Sequence, residues 1–426
     1  MARFLVNLGY RWGRGAPADG VIFNASGFHK AQAGRRDFES SPDRQWLLFD
    51  PQLYLSVLDL DRCGNTCARL STYPWFGIDV PEYDSRELNQ ADWFAKIRDN
   101  LAWVPAIPTD PSDIRAVVKG CLDYQVGFGV THLIAPTPLA TNADDQFGVQ
   151  IDWLDQAAAL KDNYEQPILA TVALHDYLLS PYRPADSPLL QTILDNIMVS
   201  GLDGAYALVV QEDSDNARIT EKNIAESLLY ISHVVGKMGG RPAVINFADD
   251  LGLACCGTGG TAFAGGATMK QRRMCLSDFI ERSGGGALPR FYSNTLIGDY
   301  YTESDLDKLR AARLTRLLRL DVTPQSEALI RALDSGSGAR ELPAWRQTNN
   351  NVGVAQEHRM TLLHLRAAAL EQVPVEDRPD SILAWLQNAE AHSSFLEKRF
   401  LLTPLSENGR HIAAWRGATE ELLDTV

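Results

Sequence analysis

The sequence predicts an α/β fold, and within that class a (βα)8 TIM-type barrel followed by a helical C-terminal region. From residue 130 onward, strands that are apolar throughout alternate with amphipathic helices at intervals of roughly 35–40 residues. Such strands are typical of a parallel sheet covered on both faces. No glycine-rich dinucleotide turn follows the first strand, which favours a barrel over a doubly wound sheet.

The expected strands are short apolar runs bounded by turn residues. Six are clear and two are ambiguous, so closure with eight strands is an inference. The runs are Arg3–Leu8, Gly20–Asn24, Trp46–Asp50, Val130–Ala135, Ile168–Leu174, Ala205–Gln211, Ala243–Phe247 and Thr261–Ala264. Between them, periodic apolar residues predict helices over Asp113–Tyr124, Ile151–Lys161, Leu189–Val199 and Lys222–Lys237.

Two regions stand apart from this alternation. Residues 60–110 are irregular and rich in aromatic side chains, which indicates a small satellite core under a long loop or a stacking wall for a base or sugar. Residues 304–426 form the helical appendage, after a barrel that spans residues 1–303. Its expected helices are Ser304–Leu320, Val354–Leu370, Asp380–Phe400 and His411–Leu423. We expect it to contact a protein partner or a second copy of the chain.

Composition restricts the function classes. A net charge of −14 and an isoelectric point near 5.1 oppose autonomous nucleic-acid binding. Nucleic acid could bind only through a local basic patch, for which the candidates are Arg35-Arg36, Arg272-Arg273 and the series Arg310, Arg313, Arg316 and Arg319. No apolar run reaches the roughly 18–20 residues of a membrane span, and the N-terminus does not read as a signal peptide.

The six cysteines favour a reduced, cytoplasmic protein. Cys63 and Cys67 form a C-x3-C pair, but no second pair at zinc spacing follows. A zinc site would need distant ligands, and we predict no metal ligand set from the sequence. No dinucleotide cofactor is expected, although clustered carboxylates are compatible with a divalent cation.

The stretch Arg241–Arg273 admits three interpretations. Gly257-Thr-Gly259-Gly-Thr-Ala262 fits the dinucleotide pattern G-x-G-x-x-A, but further glycines would fall in the helix that this motif requires. In the second, Asp249 or Asp250 caps a short helix, Leu251–Cys256, and the glycines serve only backbone geometry. In the third, Gly265-Gly266 is a phosphate loop of the kind found after the last strands of barrels.

Chemistry in a parallel barrel is placed at the carboxyl ends of the strands. Acidic and polar residues follow several of the expected strands, and paired carboxylates can divide acid and base work. The simpler reading of an aspartate just past a strand is a helix cap, which fits Asp176, Asp249 and Asp250. The catalytic candidates are Asp50, His175, Glu212, Asp249 and Asp250, and the ligand-binding candidates are Gln211, Gly265, Gly266, Lys270, Arg272 and Arg273.

Over roughly residues 40–292 the sequence resembles the barrel of tRNA-guanine transglycosylases. The resemblance lies in the order of three features: a strand ending in Asp50, the segment VTHLIAP, and the rim after AVINFADDLGLACCGTGGTAFAGG. The resemblance implies a barrel that handles a nucleobase, with Asp50 as a base-recognising residue. The family's nucleophilic aspartate is missing, because Ala264-Gly265-Gly266 stands in its place. Its cysteine-rich zinc site is also missing, because no cysteine follows Cys275.

Two classes of function follow. The first is a barrel enzyme, a transferase or hydrolase, that acts on a nucleobase, a nucleoside-like molecule or a phosphorylated ligand by means of rim carboxylates. It predicts that Asp50, Glu212 and Asp249 surround one pocket. The second is a non-catalytic barrel that serves as a recognition or scaffold subunit of a larger complex and docks through the C-terminal helices.

Overall fold

The computed structural model describes residues 1–8, 17–33, 45–141, 146–212, 218–281, 286–348 and 351–425. Eight parallel strands in this part of the chain form a nearly closed barrel, in the order β3–β2–β1–β8–β7–β6–β5–β4. Their bounds are β1 Arg3–Leu8, β2 Gly20–Asn24, β3 Trp46–Asp50, β4 Leu133–Ile134, β5 Ile168–His175, β6 Gly204–Gln211, β7 Ala243–Ile245 and β8 Ala262–Gly265.

The sheet is continuous through β1, and its two end strands, β3 and β4, come into contact and nearly close the barrel. Strand β1 pairs with β2 on one side and with β8 on the other, so the first and last strands are neighbours. Between β3 and β4 the join is made just before β4. There the Thr131 amide donates to the Leu47 carbonyl at 2.8 Å, and the Leu47 amide donates to Thr131 Oγ1 at 2.9 Å. The predicted barrel class is confirmed.

The strand predictions are accurate to within one residue, except at β4 and β7. Nearly every strand residue is buried, which is why each strand reads as a continuous apolar run. Only Leu133–Ile134 of the expected Val130–Ala135 is strand. Strand β7 ends at Ile245, two residues early, because the chain turns there into left-handed backbone at Phe247.

Helices cover the outside of the barrel. The helices that precede β8 in the chain are α1 Lys30–Ala33, α2 Leu60–Leu70, α3 Gln90–Asp99, α4 Pro111–Phe128, α5 Gln146–Ala159, α6 Asp176–Leu179, α7 Pro188–Ser200, α8 Lys222–Ile231 and α9 Asp249–Thr258. A π-helical turn, Ser232–Met238, extends α8. The insertion at 60–110 therefore contains two helices, α2 and α3, that its irregular composition did not predict.

After β8 the chain forms α10 Met269–Arg272, a short strand β9 Met274–Cys275 beside β6, and an antiparallel hairpin, β10 Arg290–Ser293 with β11 Gly298–Tyr301. The remaining helices are α11 Ser304–Ala311, α12 Glu327–Asp334, α13 Gly353–Glu371, α14 Arg378–Arg399 and α15 Arg410–Thr425. A helical C-terminal region is thus present.

One predicted helix is wrong. The segment Ser304–Leu320 is not continuous, because α11 ends at Ala311 and a 3-10 helix begins only at Thr315. Arg313 between them has a φ of 60°, which an α-helix cannot contain. The leucine spacing gave no sign of this break, and the four arginines therefore do not form one helical face.

The C-terminal helices pack on the barrel wall. Helix α13 lies against β1 and α9, α14 against α9, and α15 against α8. Apolar side chains of all three helices join the core of the barrel, among them Leu363, Leu386 and Trp415. A second core, which includes Phe291, Leu306 and Trp345, lies under the hairpin and α11–α12. In the described part of the chain no helix is long and apolar enough to cross a bilayer.

Candidate functional site at the barrel mouth

A cavity of about 1190 Å³ lies at the end of the barrel where the strands finish. We call it the mouth cavity. Its walls come from the segments after β2, β3, β7 and β8, from α2 and α3, and from the start of α13. Its lining includes Asn24, His29, Gln32, Gln52, Thr66, Arg69, Gln90, Phe94, Arg98, Phe247, Thr268, Lys270, Gln271, Phe279, Gln356 and Glu357. This size accommodates a nucleotide-sized ligand.

Two cations face the mouth cavity without an acidic partner. Within the described residues, neither the Arg69 guanidinium nor the Lys270 ammonium forms a hydrogen bond or salt bridge. Each instead lies over an aromatic ring, Arg69 at 5.8 Å from the Phe94 centroid and Lys270 at 5.4 Å from that of Phe279. Burial lowers the pKa of both side chains, because charge is disfavoured where water is displaced; Glu281 opposes this for Arg69, and Asp278 and Glu281 oppose it for Lys270, without a salt bridge to either.

The other charges in the lining are differently placed. Arg98 is exposed and pairs with Asp99 at 3.0 Å. Glu357, from α13, is the carboxylate among the described lining residues. His29 is buried, and its ring stacks on Phe94 with centroids 5.2 Å apart. Its Nδ1 accepts the Gln32 amide at 3.2 Å, which leaves Nε2 as the protonated nitrogen of the neutral ring.

A series of hydrogen-bonded amide side chains from several strands lies beneath the mouth cavity, and Asn24 is the asparagine of this series that lines it. Asn24 donates to Asn7 Oδ1 at 3.4 Å, and Asn7 donates to Asn246 Oδ1 at 2.7 Å. Asn246 in turn donates to the Tyr206 hydroxyl. These residues are almost fully buried, so their polar groups depend on partners inside the protein. Asn24 Oδ1 is an exception, with no partner among the described residues.

The series of hydrogen bonds ends at Asp50. The Asp50 carboxylate is fully buried and accepts hydrogen bonds from the Tyr206 hydroxyl at 2.7 Å, the Tyr54 hydroxyl at 2.6 Å and the backbone amide of Gln52 at 3.1 Å. Burial raises the pKa of Asp50 to about 6, although the tyrosine hydrogen bonds oppose the rise. We call Asp50, Tyr54, Tyr206 and the three asparagines the Asp50 network. Asp50 itself lies beneath the cavity and does not line it.

Backbone strain is concentrated at the same place. Five non-glycine residues in the described chain have positive φ, and three of them follow β3 or β7: Gln52 at 53°, Phe247 at 55° and Asp249 at 48°. Gln52 and Phe247 line the mouth cavity. Such conformations cost about 1–3 kcal/mol each and are frequent at binding and catalytic sites.

Asp249 and Asp250 do not face the mouth cavity. They begin α9 and lie in a buried cluster with three arginines, and we call this set the arginine–aspartate cluster. Arg359 of α13 contacts Asp249, Asp250 and Asp299, and Arg218 contacts Asp250 at 2.9 Å. The full set is Asp249, Asp250, Asp299, Glu407, Arg218, Arg272 and Arg359.

The carboxyl groups of this cluster differ in pKa. Burial opposes ionisation of Asp250 and Asp299, yet the surrounding arginines, Arg359 foremost, hold both pKa values below their usual range. Burial raises the pKa of Asp249, whose Oδ1 has no hydrogen-bond partner among the described residues. Neither aspartate caps α9. The capping interpretation is therefore wrong, because the side chains of Asp249 and Asp250 form ion pairs with arginines from distant segments instead.

His175 and Glu212 lie at a separate cavity of about 490 Å³ near the ends of β5 and β6. His175 Nδ1 is 2.7 Å from Asp176 Oδ1, without hydrogen-bond geometry, and its Nε2 is 3.7 Å from Glu212 Oε2. The Glu212 side chain is 73% exposed. Asp50, Glu212 and Asp249 therefore do not surround one described pocket, contrary to the expectation from their strand-end positions.

The glycines do not form an open loop. A Cβ on Gly266 would lie 2.5 Å from Gln271 Cβ, and one on Gly265 would lie 3.1 Å from Asp249 Oδ1, so close packing accounts for both. Gly257 lies inside α9 and Gly259 ends it with a φ of 137°. The dinucleotide motif is excluded because these glycines precede β8 rather than follow a strand.

The remaining candidates are distributed unevenly. Lys270 lines the mouth cavity, whereas Arg272 pairs with Asp299 at 3.2 Å and Arg273 with Asp278 at 2.9 Å. Gln211 ends β6 opposite Cys275 of β9. The basic pair Arg35-Arg36 lies outside the described residues.

The aromatic side chains of the insertion are divided between two cores, and their use as a stacking wall for a base or sugar stays a prediction. Tyr73, Trp75 and Phe76 join the main core. Trp93 and Phe94 belong to a small satellite cluster, and Phe94 also lines the mouth cavity. All six cysteines are buried and free. Within the described chain no group of three His, Cys, Asp or Glu side chains is arranged to hold a metal ion.

Sequence reasoning missed the asparagines, Arg69 and Glu357. Asn7, Asn24 and Asn246 stand in or just after the ends of β1, β2 and β7, so the rule that selected Asp50 could have found them. The strand-end candidates were acids, His175 and Gln211, and the asparagines were left out. Arg69 and Glu357 lie on helices, where no local pattern distinguishes them from solvated charges.

Comparison with known proteins gives no match: no family model fits the chain, and no curated protein or solved structure is significantly similar to it. The resemblance to the tRNA-guanine transglycosylase barrel stays a prediction.

Proposed function

We propose that this chain is a barrel enzyme that binds a phosphorylated, nucleoside-like small molecule in the mouth cavity and acts on it as a transferase or hydrolase. The observation that carries the proposal is the pair of cations, Arg69 and Lys270, which face a nucleotide-sized cavity without an acidic partner.

The two cations favour an anionic ligand on energetic grounds. Removing water from a cation is costly unless an anion compensates for it. Burial lowers the pKa values of Arg69 and Lys270 for this reason. A phosphate group between them would restore the charge balance and would accept charge-assisted hydrogen bonds from both.

The rest of the lining suits the polar edge of a base or sugar. The floor and wall present the amide groups of Asn24, Gln52, Gln271 and Gln356. Amides offer both donors and acceptors, as base edges and sugar hydroxyls require. The resemblance to a nucleobase-handling barrel points in the same direction, although the site residue that it implies is Asp50.

The case for catalysis is the strained backbone at Gln52 and Phe247, at the ends of two strands that border the cavity. The rim carboxylates receive less support as reacting groups, because Asp50, Asp249 and Glu212 do not line the mouth cavity. Asp50 is a positioning residue, connected to the cavity through Gln52 and the asparagine chain.

Calorimetric titration with inorganic phosphate, uridine monophosphate and uridine tests the binding step. We expect both phosphorylated probes to bind more tightly than uridine. Arg69→Gln and Lys270→Gln should each weaken their binding by roughly tenfold to a hundredfold, since each removes a charge-assisted contact. Arg86→Gln and Lys96→Gln are matched controls, because both residues are exposed and neither lines the mouth cavity.

Equal binding of phosphorylated and unphosphorylated probes, or unchanged affinity in both cavity variants, would contradict the proposal. Incubation of each bound probe with the full chain, followed by mass spectrometry of the products, separates an enzyme from a non-catalytic binding barrel. A probe that binds and is never converted would favour the recognition or scaffold class.

A further inference from the structure

The series of asparagine side chains beneath the mouth cavity has a fixed hydrogen-bond direction. Two backbone groups set it. The Phe247 amide, which can only donate, lies 2.7 Å from Asn246 Oδ1. The Gln271 carbonyl, which can only accept, lies 2.9 Å from Asn7 Nδ2. The oxygen and nitrogen of these two side-chain amides are therefore assigned by their partners.

This direction determines how Asn24 is oriented. Because Asn7 turns its Nδ2 toward Asn246 and the Gln271 carbonyl, its Oδ1 faces Asn24. Asn24 must meet that oxygen with its own Nδ2, at 3.4 Å. The Oδ1 of Asn24 then points away from the chain of amides, and Asn24 lines the mouth cavity.

The Asn24 oxygen has no hydrogen-bond partner among the described residues, although the residue is only 5% exposed. A buried acceptor without a partner costs about 1–3 kcal/mol. A 180° flip of the Asn24 side-chain amide would not remove this cost, because it would place Asn24 Oδ1 next to Asn7 Oδ1, and both oxygens are acceptors. The acceptor is thus held in place before any ligand arrives.

We infer that Asn24 is a specificity-determining residue whose Oδ1 accepts a hydrogen bond from an N–H or O–H group of the ligand. The inference rests on the proposed function, because it places a second contact in the cavity where Arg69 and Lys270 hold the anion. The ligand class becomes narrower: a phosphorylated molecule that also carries a hydrogen-bond donor, either the ring N–H of a nucleobase or the hydroxyl of a sugar.

The test compares donor-bearing probes with matched probes in which the donor is blocked. Uridine monophosphate is paired with N3-methyluridine monophosphate, and ribose 5-phosphate with 2-deoxyribose 5-phosphate. Inorganic phosphate measures the anion contact alone. We expect the intact chain to prefer one donor-bearing probe over its blocked match by roughly tenfold to a hundredfold. The pair that shows the preference identifies a base N–H or a sugar O–H as the donor.

Asn24→Ala should abolish that preference and leave the affinity for inorganic phosphate unchanged. Asn196→Ala is the matched control, because Asn196 Oδ1 is also unpartnered but the residue lies on α7 and does not line the mouth cavity. The comparison of probes on the unmodified chain needs no variant, so an Asn24→Ala protein that fails to fold would not prevent the test.

The two proposals fail differently. If inorganic phosphate binds but blocked and donor-bearing probes bind equally well, the role of Asn24 is wrong and the anion site stands. The role of Asn24 is equally wrong if Asn24→Ala keeps the preference. If neither inorganic phosphate nor any phosphorylated probe binds, the proposed function itself is wrong.

Discussion

The Asp50 network and the arginine–aspartate cluster both begin with aspartates at strand ends, yet they have opposite electrostatics. Asp50 is surrounded by neutral hydroxyl and amide groups, and burial raises its pKa to about 6. Asp250 and Asp299 are equally buried, but arginines hold their pKa values low. The comparison teaches that a strand-end carboxylate acquires its role from partners that are distant in sequence.

The two groups also have different positions. The Asp50 network lies under the mouth cavity and reaches it through Asn24 and Gln52. The arginine–aspartate cluster joins α9 of the barrel to α13, to the segment after β6 and to the hairpin strand β11. We therefore assign the first to the site and the second to the attachment of the C-terminal region.

The largest expected effect is on the arginine–aspartate cluster. Arg359→Gln removes the cation that contacts Asp249, Asp250 and Asp299, and it leaves buried carboxylates without enough positive charge. Removing one partner from a buried ion pair costs about 3–5 kcal/mol, and we expect a loss of that size in urea unfolding at pH 7. Arg331→Gln is the control, since Arg331 is exposed on α12. A loss as small as that of the control would show that the cluster does not hold the C-terminal region to the barrel.

A smaller effect is expected on the Asp50 network, and its pH dependence is diagnostic. Because the folded-state pKa of Asp50 is raised, its contribution to stability is complete below the unfolded pKa near 4 and declines as pH rises toward 6. The decline is on the order of 2–3 kcal/mol for a shift of about two pKa units. Asp50→Asn should lack this component, so the stability of the natural chain relative to the variant should fall between pH 4 and pH 7.

Urea unfolding of both proteins at pH 4, 5, 6 and 7 measures that difference. The arginine–aspartate cluster has the opposite sign, since the lowered pKa values of Asp250 and Asp299 stabilise the fold above pH 4 and lose that contribution as pH falls further. A constant difference between the natural chain and Asp50→Asn across this range would mean that Asp50 is ionised without penalty. The contrast between the two groups would then disappear.

The fold was predictable from the sequence because it depends on local patterns. Continuous apolar runs located all eight strands, and the alternation with amphipathic helices indicated the barrel. Local patterns failed where one residue decides the geometry: Arg313, in left-handed backbone, divides a helix whose leucine spacing is regular.

The site was predictable only in part. Strand-end position pointed to Asp50, which lies beneath the mouth cavity, and nearness to Gly265-Gly266 pointed to Lys270, which lines it. Strand-end position could not separate Asp50 from Asp249. That separation depends on Arg359, which is 110 residues away from Asp249. Asn24 was within reach of the same rule, whereas Arg69 and Glu357 enter the cavity only through the packing of α2 and α13.

The central claim is that an anion binds between Arg69 and Lys270 in the mouth cavity. The most direct measurement is a crystal structure of the full chain soaked in tungstate, a phosphate-like oxyanion with a strong anomalous signal. We predict an anomalous peak within hydrogen-bond distance of the Arg69 guanidinium and the Lys270 ammonium, absent from crystals of Arg69→Gln. Tungstate bound only elsewhere, with the mouth cavity empty, would contradict the account.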